Sequence, residues 1–227
     1  MAVKYNYNGN MKLSRLMAIL LAFLAAGFFS CSRAEPQIHY GFMELVYYPG
    51  RVRYEERFSF FILPEDDNGI ENLSELYLYH DREGLRWIFS SEDWIEHEEN
   101  GKTWIGSRSI AMPDDSPLPR GQYRAVLFNR GGESTERLFT FDGPETPPYP
   151  FPVLAVAEGM YYIDSQYPVT RLLGYDQQGK IIQTLEIREM EGSVRNLRFA
   201  TGVRTAALWA EEPEYRISVL TEAVVIR

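Results

Sequence analysis

The loop at 64–69, with the sequence PEDDNG, holds four consecutive potential metal ligands. It places Glu65, Asp66, Asp67 and Asn68 in consecutive positions before a glycine. Calcium takes about six to eight oxygen ligands, and such a loop can supply several of them. The loop lacks the alternating aspartates and the distal glutamate of an EF-hand. We therefore interpret it as an acidic turn and keep the four residues only as weak metal candidates.

The other reactive side chains do not form a recognisable catalytic set. His39, His80 and His97 lack the paired spacing of a zinc site. His97 stands among glutamates in the segment IEHEEN, but neighbours on a strand face opposite sides of the sheet. No G-x-S-x-G motif, phosphate-binding loop or dinucleotide fingerprint is present. We expect no enzymatic activity and no cofactor, and an enzyme whose residues meet only in three dimensions stays as an alternative.

Three tryptophans, Trp87, Trp94 and Trp104, lie close together in the sequence. Indole rings bury a large area with few rotatable bonds, so they suit sugar rings or protein partners. The same residues could instead fill a sandwich core and form cross-strand pairs. We favour the core interpretation and keep the three as a candidate ligand platform.

The elements that would position these residues are predicted to be strands. The segment RVRYEERFSFFIL at 51–63 puts Phe58 and Phe60 on one alternating face, and LSELYLYH at 73–80 does the same for Leu76 and Leu78. Hairpins are predicted at 93–106, around the Asn-Gly pair at 100–101, and at 121–141, around the Gly-Gly pair at 131–132. No long segment has helical periodicity, so we predict an all-β fold.

A proline-rich segment, GPETPPYPFP at 143–152, divides the chain into two parts. Prolines interrupt both strand pairing and helices, so we predict a boundary between a β-sandwich domain at 37–142 and a small β domain at 153–227. The alternative is a long interstrand loop within one sandwich. The second part contains seven short candidate strands: VLAVA, MYYID, VTRLLGY, KIIQTLEI, VRNLRFA, VRTAALWA and YRISVLTEAVVIR. The segment YDQQGK at 175–180 is predicted to be a hairpin turn.

Two segments of the first part resemble bacterial immunoglobulin-like and fibronectin-III-like domains. They are DDNGIENLSELYL at 66–78 and LPRGQYRAVLF at 118–128, where a proline–glycine corner precedes Tyr123. The resemblance implies two β-sandwich-like domains joined by the proline-rich segment. It also implies that the Tyr123 hydroxyl bonds to the preceding backbone, as in a tyrosine corner.

The N-terminal segment has the pattern of a secretory signal. Lys12 and Arg15 precede an uncharged apolar run at 16–29, which is too short to span a membrane, and Ser30 and Cys31 follow it. The segment FFSC at 28–31 resembles the lipobox of bacterial lipoprotein precursors, although the two phenylalanines depart from its strict pattern. The resemblance implies a signal peptide at 1–30, acylation of Cys31 and a short tether at 31–36. A soluble secreted protein or an uncleaved anchor are the alternatives.

The remaining expectations concern location and partners. Removal of residues 1–30 takes away three basic residues and no acidic one, so the net charge changes from −9 to −12. This charge disfavours nucleic acid as a partner. The lipoprotein resemblance implies membrane lipid as a partner through Cys31, and Ser32 after the cysteine implies the outer rather than the inner membrane. We therefore expect a lipid-anchored cell-envelope protein with a binding or structural role, its partner an envelope protein or a glycan. A carbohydrate- or peptidoglycan-binding module is the alternative.

Overall fold

The computed structural model of the chain describes residues 34–50 and 53–226. Within these residues the regular structure consists of strands and three short 3-10 segments, which confirms the all-β prediction. The strands of the first part are β1 (Gln37–Pro49), β2 (Tyr54–Glu65), β3 (Leu73–His80), β4 (Leu85–Ser90), β5 (Ile95–Glu99), β6 (Lys102–Ile110), β7 (Gly121–Asn129) and β8 (Ser134–Phe141). The strands of the second part are β9 (Val153–Ala157), β10 (Met160–Asp164), β11 (Val169–Tyr175), β12 (Ile181–Glu186), β13 (Glu191–Ser193), β14 (Thr205–Glu212), β15 (Ile217–Leu220) and β16 (Val224–Val225).

The strands form one large sheet and two smaller ones. The large sheet has the order β12-β11-β14-β15-β1-β2-β6-β5, with β16 paired to β14. The second sheet has the order β4-β3-β7-β8, and the third has the order β13-β10-β9. The β1 and β15 strands run parallel and join the two parts of the chain, with Leu45 opposite Ile217 and Tyr47 opposite Val219.

This pairing corrects the prediction that the segment at 143–152 separates two domains with independent cores. Strands from both sides of the segment belong to the same sheet, and residues 35–227 form one compact unit. The prediction failed because proline composition shows where strand pairing stops along the chain. It carries no information on which distant strands pair after the interruption.

The main core lies between the large sheet and the four-stranded sheet. It combines side chains of β1 and β2 with those of β3 and β7, and Phe58 packs edge-on against Tyr123 at a ring-centroid distance of 5.3 Å. Phe58, Phe60, Leu76 and Leu78 are all fully buried, as their alternation predicts. This half of the molecule is therefore a two-layer sandwich. The large sheet extends beyond it through the strands of the second part.

A smaller hydrophobic cluster lies in the second part of the chain. Its buried members are Leu154, Tyr161, Ile163, Leu172 and Leu208. They come from β9, β10, β11 and β14, so this cluster connects the three-stranded sheet to the distal half of the large sheet. The second part therefore has a core cluster of its own, although its Ile217 and Val219 belong to the main core.

The proline-rich segment is a strap that packs against the core. Phe151 stacks on Tyr54 at a ring-centroid distance of 3.8 Å. The Tyr149 hydroxyl donates a hydrogen bond to the buried Glu212 at 3.0 Å. The Arg120 guanidinium donates to the Pro144 carbonyl. An extended polyproline chain has no internal hydrogen bonds, so these contacts are what fix the strap in place.

Local turn predictions agree with the structure. Asn100 and Gly101 have φ angles of 52° and 71°, as a type I′ turn requires, and they join β5 to β6. The Gly-Gly turn joins β7 to β8. At the 175–180 turn, the Asp176 amide donates to the Lys180 carbonyl at 2.9 Å. The Tyr123 hydroxyl donates to the Pro119 carbonyl at 2.6 Å, which confirms the predicted tyrosine-corner bond.

One predicted strand in the second part is wrong. The segment VRNLRFA forms a 3-10 turn at Val194–Leu197 instead of a strand. The Ser193 side chain accepts a hydrogen bond from the Arg195 amide at its start, and Arg198 adopts a left-handed conformation at its end. These local bonds offer the backbone an alternative to strand pairing.

No helix among residues 34–50 and 53–226 has the length and apolar character needed to cross a membrane. The predicted signal peptide at 1–30 and Cys31 lie outside the described residues.

A candidate binding cleft on the open face of the large sheet

The large sheet has two chemically different faces. Along β1, the side chains of Met43, Leu45 and Tyr47 enter the main core. The alternate residues Phe42, Glu44, Val46 and Tyr48 point to the opposite side and line a cavity. This second side is called the open face below. The two-residue repeat of a strand therefore separates the core from the candidate site.

The open face forms a cleft of about 590 Å³. Its lining includes His97 and Glu99 of β5 and Ile181 and Thr184 of β12, which are the two edges of the large sheet. Adjacent strands lie about 4.8 Å apart, so the edges of a flat sheet of this width would lie far apart. The sheet therefore curves around the cleft. Phe42 and Ile181 are 43% and 49% exposed, so the cleft opens to solvent.

Aromatic rings cover much of the cleft. Phe42 stacks with Phe61 at a ring-centroid distance of 5.6 Å, and Phe61 is buried at the base. Trp209 and Tyr175 come from the strands of the second part. Tyr48 lies under the Arg57 guanidinium at 5.0 Å. These rings present flat apolar surfaces with polar atoms at their edges.

A cluster of charged residues lies among these rings. Arg171 forms an ion pair with Glu211, and the Trp209 indole N–H donates to the same carboxylate at 2.6 Å. The Ser218 hydroxyl donates to the Glu44 carboxylate. Arg171, Trp209 and Glu211 lie on the neighbouring strands β11 and β14, where Arg171 is directly opposite Trp209. The hydrogen bonds hold each of these side chains in a defined position.

Burial raises the pKa of three groups on this face. Burial raises the pKa of the Glu44 carboxyl above its ordinary 4.5. The hydrogen bond from Ser218 acts to lower this pKa, and the nearby Glu211 carboxylate acts to raise it. Burial also raises the pKa of Tyr48, against the influence of Arg57 and Arg108, and it raises the pKa of Tyr175. These groups are partly shielded from water, and polar contacts in such surroundings are stronger than in bulk water.

The three tryptophans of the predicted platform do not come together. Trp94 is 7% exposed and belongs to the main core. Trp87 packs against that core, and its indole N–H donates to the Ala111 carbonyl at 2.9 Å. Trp104 contacts Phe42 on the open face at a ring-centroid distance of 5.8 Å. Two members therefore follow the core interpretation, and Trp104 alone adjoins the cleft.

The acidic loop at 64–69 uses its side chains to hold the turn. The Asp66 carboxylate accepts hydrogen bonds from the Asn68 amide and from the side chains of Asn72 and Asn129. Slight burial acts to raise the pKa of Asp66, but these hydrogen bonds outweigh it and lower the pKa. Glu65 pairs with His39 across β1 and β2. Asp67 and Asn68 are exposed.

The histidines are also dispersed. His80 is buried beside Tyr123, and its Nε2 lies 3.2 Å from the Arg120 carbonyl. His97 is exposed on β5 and lines the rim of the cleft. In the described part of the chain, no three His, Cys, Asp or Glu side chains are arranged to hold a metal ion. Cys31, the predicted lipidation site, lies outside the residues described.

Sequence reasoning missed the residues that form the cleft. Glu44, Tyr48, Arg171, Trp209 and Glu211 come from β1, β11 and β14, and each looks like an ordinary outward-facing strand residue. The alternation of each strand could have shown that these residues lie on the face opposite the core. The alternation could not show that the three strands belong to the same sheet.

Comparison with known proteins assigns no family. No family model matches the chain, and no curated protein matches it. Among solved structures, the crystal structure of dimeric latent PorU from Porphyromonas gingivalis is similar with a TM-score of 0.34 and 13% identity. The match covers 85% of this chain and 20% of that chain, so this chain spans about a fifth of the length of that protein.

Proposed function

We propose that this protein is a non-catalytic binding protein of the bacterial cell envelope, held by an acylated Cys31. Its binding surface is the cleft on the open face of the large sheet. One observation carries the proposal. Each of the strands β12, β11, β14, β15, β1, β2, β6 and β5 of the large sheet contributes a residue to this solvent-open cavity. Placement in the outer membrane follows from Ser32 and remains part of the proposal.

The physical properties of the cleft support binding. Its volume of about 590 Å³ is within the usual range for ligand pockets, about 300–1,000 Å³. It combines apolar rings with a few fixed polar groups, the arrangement by which such pockets gain both affinity and orientation. The groups are already held by mutual hydrogen bonds, so a ligand would order few additional side chains.

We also propose that residues 37–142 are related in architecture to immunoglobulin-like and fibronectin-III-like domains. The support is the two-layer packing of this half and the bond between Tyr123 and Pro119. The strap at 143–152 and the extended large sheet are additions to that architecture.

Two measurements test the proposed function. In the first, the host is grown with a fatty-acid probe, and wild-type protein is compared with Cys31→Ser. We expect label and membrane association in the wild type and neither in the variant, because two or more acyl chains anchor a protein stably. Equal labelling of both proteins would contradict the anchor.

The second measurement tests the binding surface. A soluble chain beginning at Ser32 contains the whole compact unit at 35–227 and is used to retain material from solubilised host envelopes. We expect Phe42→Ala to lose most of the retained material. Leu138→Ala changes a residue that is 54% exposed on β8 of the other sheet and should retain as much as wild type. Equal retention by all three chains would contradict a role for the cleft.

A further inference from the structure

We propose that the ligand of the cleft is a neutral carbohydrate chain. It stacks on the rings of Trp209, Tyr48 and Phe42, and Arg171, Glu211 and Glu44 bind its hydroxyl groups. The inference rests on the proposed binding function and specifies its ligand class. The sequence hypothesis placed a sugar platform on Trp87, Trp94 and Trp104. The structure gathers a different set of residues.

The charges that line the cleft favour a ligand without net charge. The lining contains the carboxylates of Glu44, Glu99 and Glu211 and the guanidinium groups of Arg108 and Arg171. An anion such as a phosphate would meet more carboxylates than guanidinium groups. The Arg171–Glu211 pair is also already formed, with side chains that are 34% and 23% exposed.

The same groups disfavour an acyl chain. A fatty chain along the cleft would remove water from the Arg171–Glu211 pair and from Glu44 without offering hydrogen bonds in return. Loss of water from polar groups without new partners is unfavourable. A sugar hydroxyl both donates and accepts, so it can bond to a carboxylate and to a guanidinium without disrupting their pairing.

The aromatic lining provides the second half of sugar recognition. The faces of pyranose rings are apolar C–H surfaces, which pack on flat aromatic rings, while their hydroxyls point outward to polar neighbours. In the cleft, Trp209 is adjacent to Glu211 through their hydrogen bond, so an apolar surface and a polar group lie side by side. Glu44 and its partner Ser218 lie next along the sheet.

The shape of the cleft favours several linked sugar units. Along β1 the lining extends from Phe42 to Tyr48, and these residues lie about 20 Å apart at the rise of a strand. The cleft is therefore longer than one sugar ring, and a ligand that fills it must be extended. We therefore expect an oligosaccharide to bind at least tenfold more tightly than the corresponding monosaccharide.

Isothermal titration calorimetry of the soluble chain from Ser32 tests this inference. The probes are tetrasaccharides of glucose, N-acetylglucosamine and galactose, their monosaccharides, and a sulfated tetrasaccharide. We expect at least one neutral tetrasaccharide to bind, and the sulfated one to bind at least tenfold more weakly. Trp209→Ala and Phe42→Ala should each weaken binding at least tenfold. Tyr162→Ala changes an aromatic residue that is 52% exposed on β10 and should leave binding unchanged.

The outcomes separate this inference from the proposed function. Absence of binding to every tetrasaccharide overturns the carbohydrate inference. If the soluble chain still retains envelope material through the cleft, the binding function stands. Retained material that is lost after protease treatment and survives glycosidase treatment would assign a peptide ligand instead. Release of shorter oligosaccharides from a tetrasaccharide would overturn the non-catalytic assignment.

Discussion

The hydroxyl of Ser218, close to the C-terminal end of the chain, donates a hydrogen bond to the carboxylate of Glu44 in the first strand. Their strands, β15 and β1, run parallel in one sheet. Parallel pairing needs a long crossover connection, and here the strands β2 to β14 lie between the two in the chain. The candidate cleft and the core beneath it therefore depend on both parts of the chain.

The first prediction is that the chain from Ser32 unfolds as one cooperative unit. Because β1 and β15 share a sheet and a core, neither part can lose its structure without exposing the apolar side chains of the other. Differential scanning calorimetry should show a single transition whose calorimetric and van't Hoff enthalpies agree. Two separated transitions would restore the interpretation of two independent domains.

The second prediction concerns the tyrosine corner. Tyr123 is fully buried, and its hydroxyl bonds to the Pro119 carbonyl at 2.6 Å. Tyr123→Phe should destabilise the protein by about 1 kcal/mol, because the bond is lost and the ring packing is kept. Tyr79→Phe is the matched control, because Tyr79 is only half-buried and contacts Arg124 through its ring. Urea denaturation that gives equal midpoints for both variants would rule out a stabilising role for this bond.

Local features of the fold could be predicted from the sequence, and the candidate site could not. The Asn100-Gly101 turn, the Tyr123 corner and the burial of Phe58 and Phe60 all depend on residues close together in the chain. The pairing of Val46 with Ser218 depends on residues far apart. The sequence of neither strand identifies the strand with which it pairs. A strand with alternating apolar and polar residues can pair with many other strands.

The proline-rich segment illustrates the same limit. Its composition correctly marks a stretch without regular pairing at 143–152. Whether such a stretch is a free linker or a bound strap depends on the surface beneath it. Here the stacking of Phe151 on Tyr54 and the bond from Arg120 to Pro144 make it a strap. Those partners lie in other elements, so composition alone could not identify them.

The third prediction concerns the largely buried ion pair beneath the strap. The Arg120 guanidinium makes two hydrogen bonds of 3.0 Å to Glu56, and the two side chains are 14% and 8% exposed. Glu56→Gln should destabilise the protein by about 3–5 kcal/mol, because the Arg120 charge stays buried without its counter-charge.

A surface pair provides the control for this effect. The Arg82 Nε lies 3.8 Å from the Glu83 Oε1, and the Arg82 side chain is 86% exposed. Arg82→Met should therefore change the free energy of unfolding by less than about 0.5 kcal/mol. The double variant Glu56→Gln, Arg120→Met should recover part of the lost stability, since no buried charge is left uncompensated. A Glu56→Gln variant as stable as Arg82→Met would refute the structural role of the pair.

The fourth prediction is a pH dependence from Glu44. Burial raises the pKa of this carboxyl in the folded state above its ordinary 4.5. Between the unfolded and the folded pKa values, the folded state binds more protons, so stability falls as the pH rises through this window. Above the folded pKa the loss is complete. Glu44→Gln resembles the protonated form and should avoid the loss.

Thermal unfolding at several pH values measures this effect. The melting temperature of Glu44→Gln minus that of wild type should be larger at pH 8 than at pH 4. Glu98→Gln is the control, because Glu98 is exposed on β5. A Glu44→Gln difference that is independent of pH would show that burial does not change the protonation of this group.

The central claim is that the open face of the large sheet is the binding surface. Hydroxyl-radical footprinting of the full protein in isolated host envelopes, compared with the same protein released into detergent, tests it most directly. We predict that oxidation of Phe42, Tyr48 and Trp209 is at least threefold lower in envelopes, while the exposed Leu138 and Tyr162 on the other two sheets react equally in both. Equal oxidation of Phe42, Tyr48 and Trp209 in the two preparations would contradict the claim.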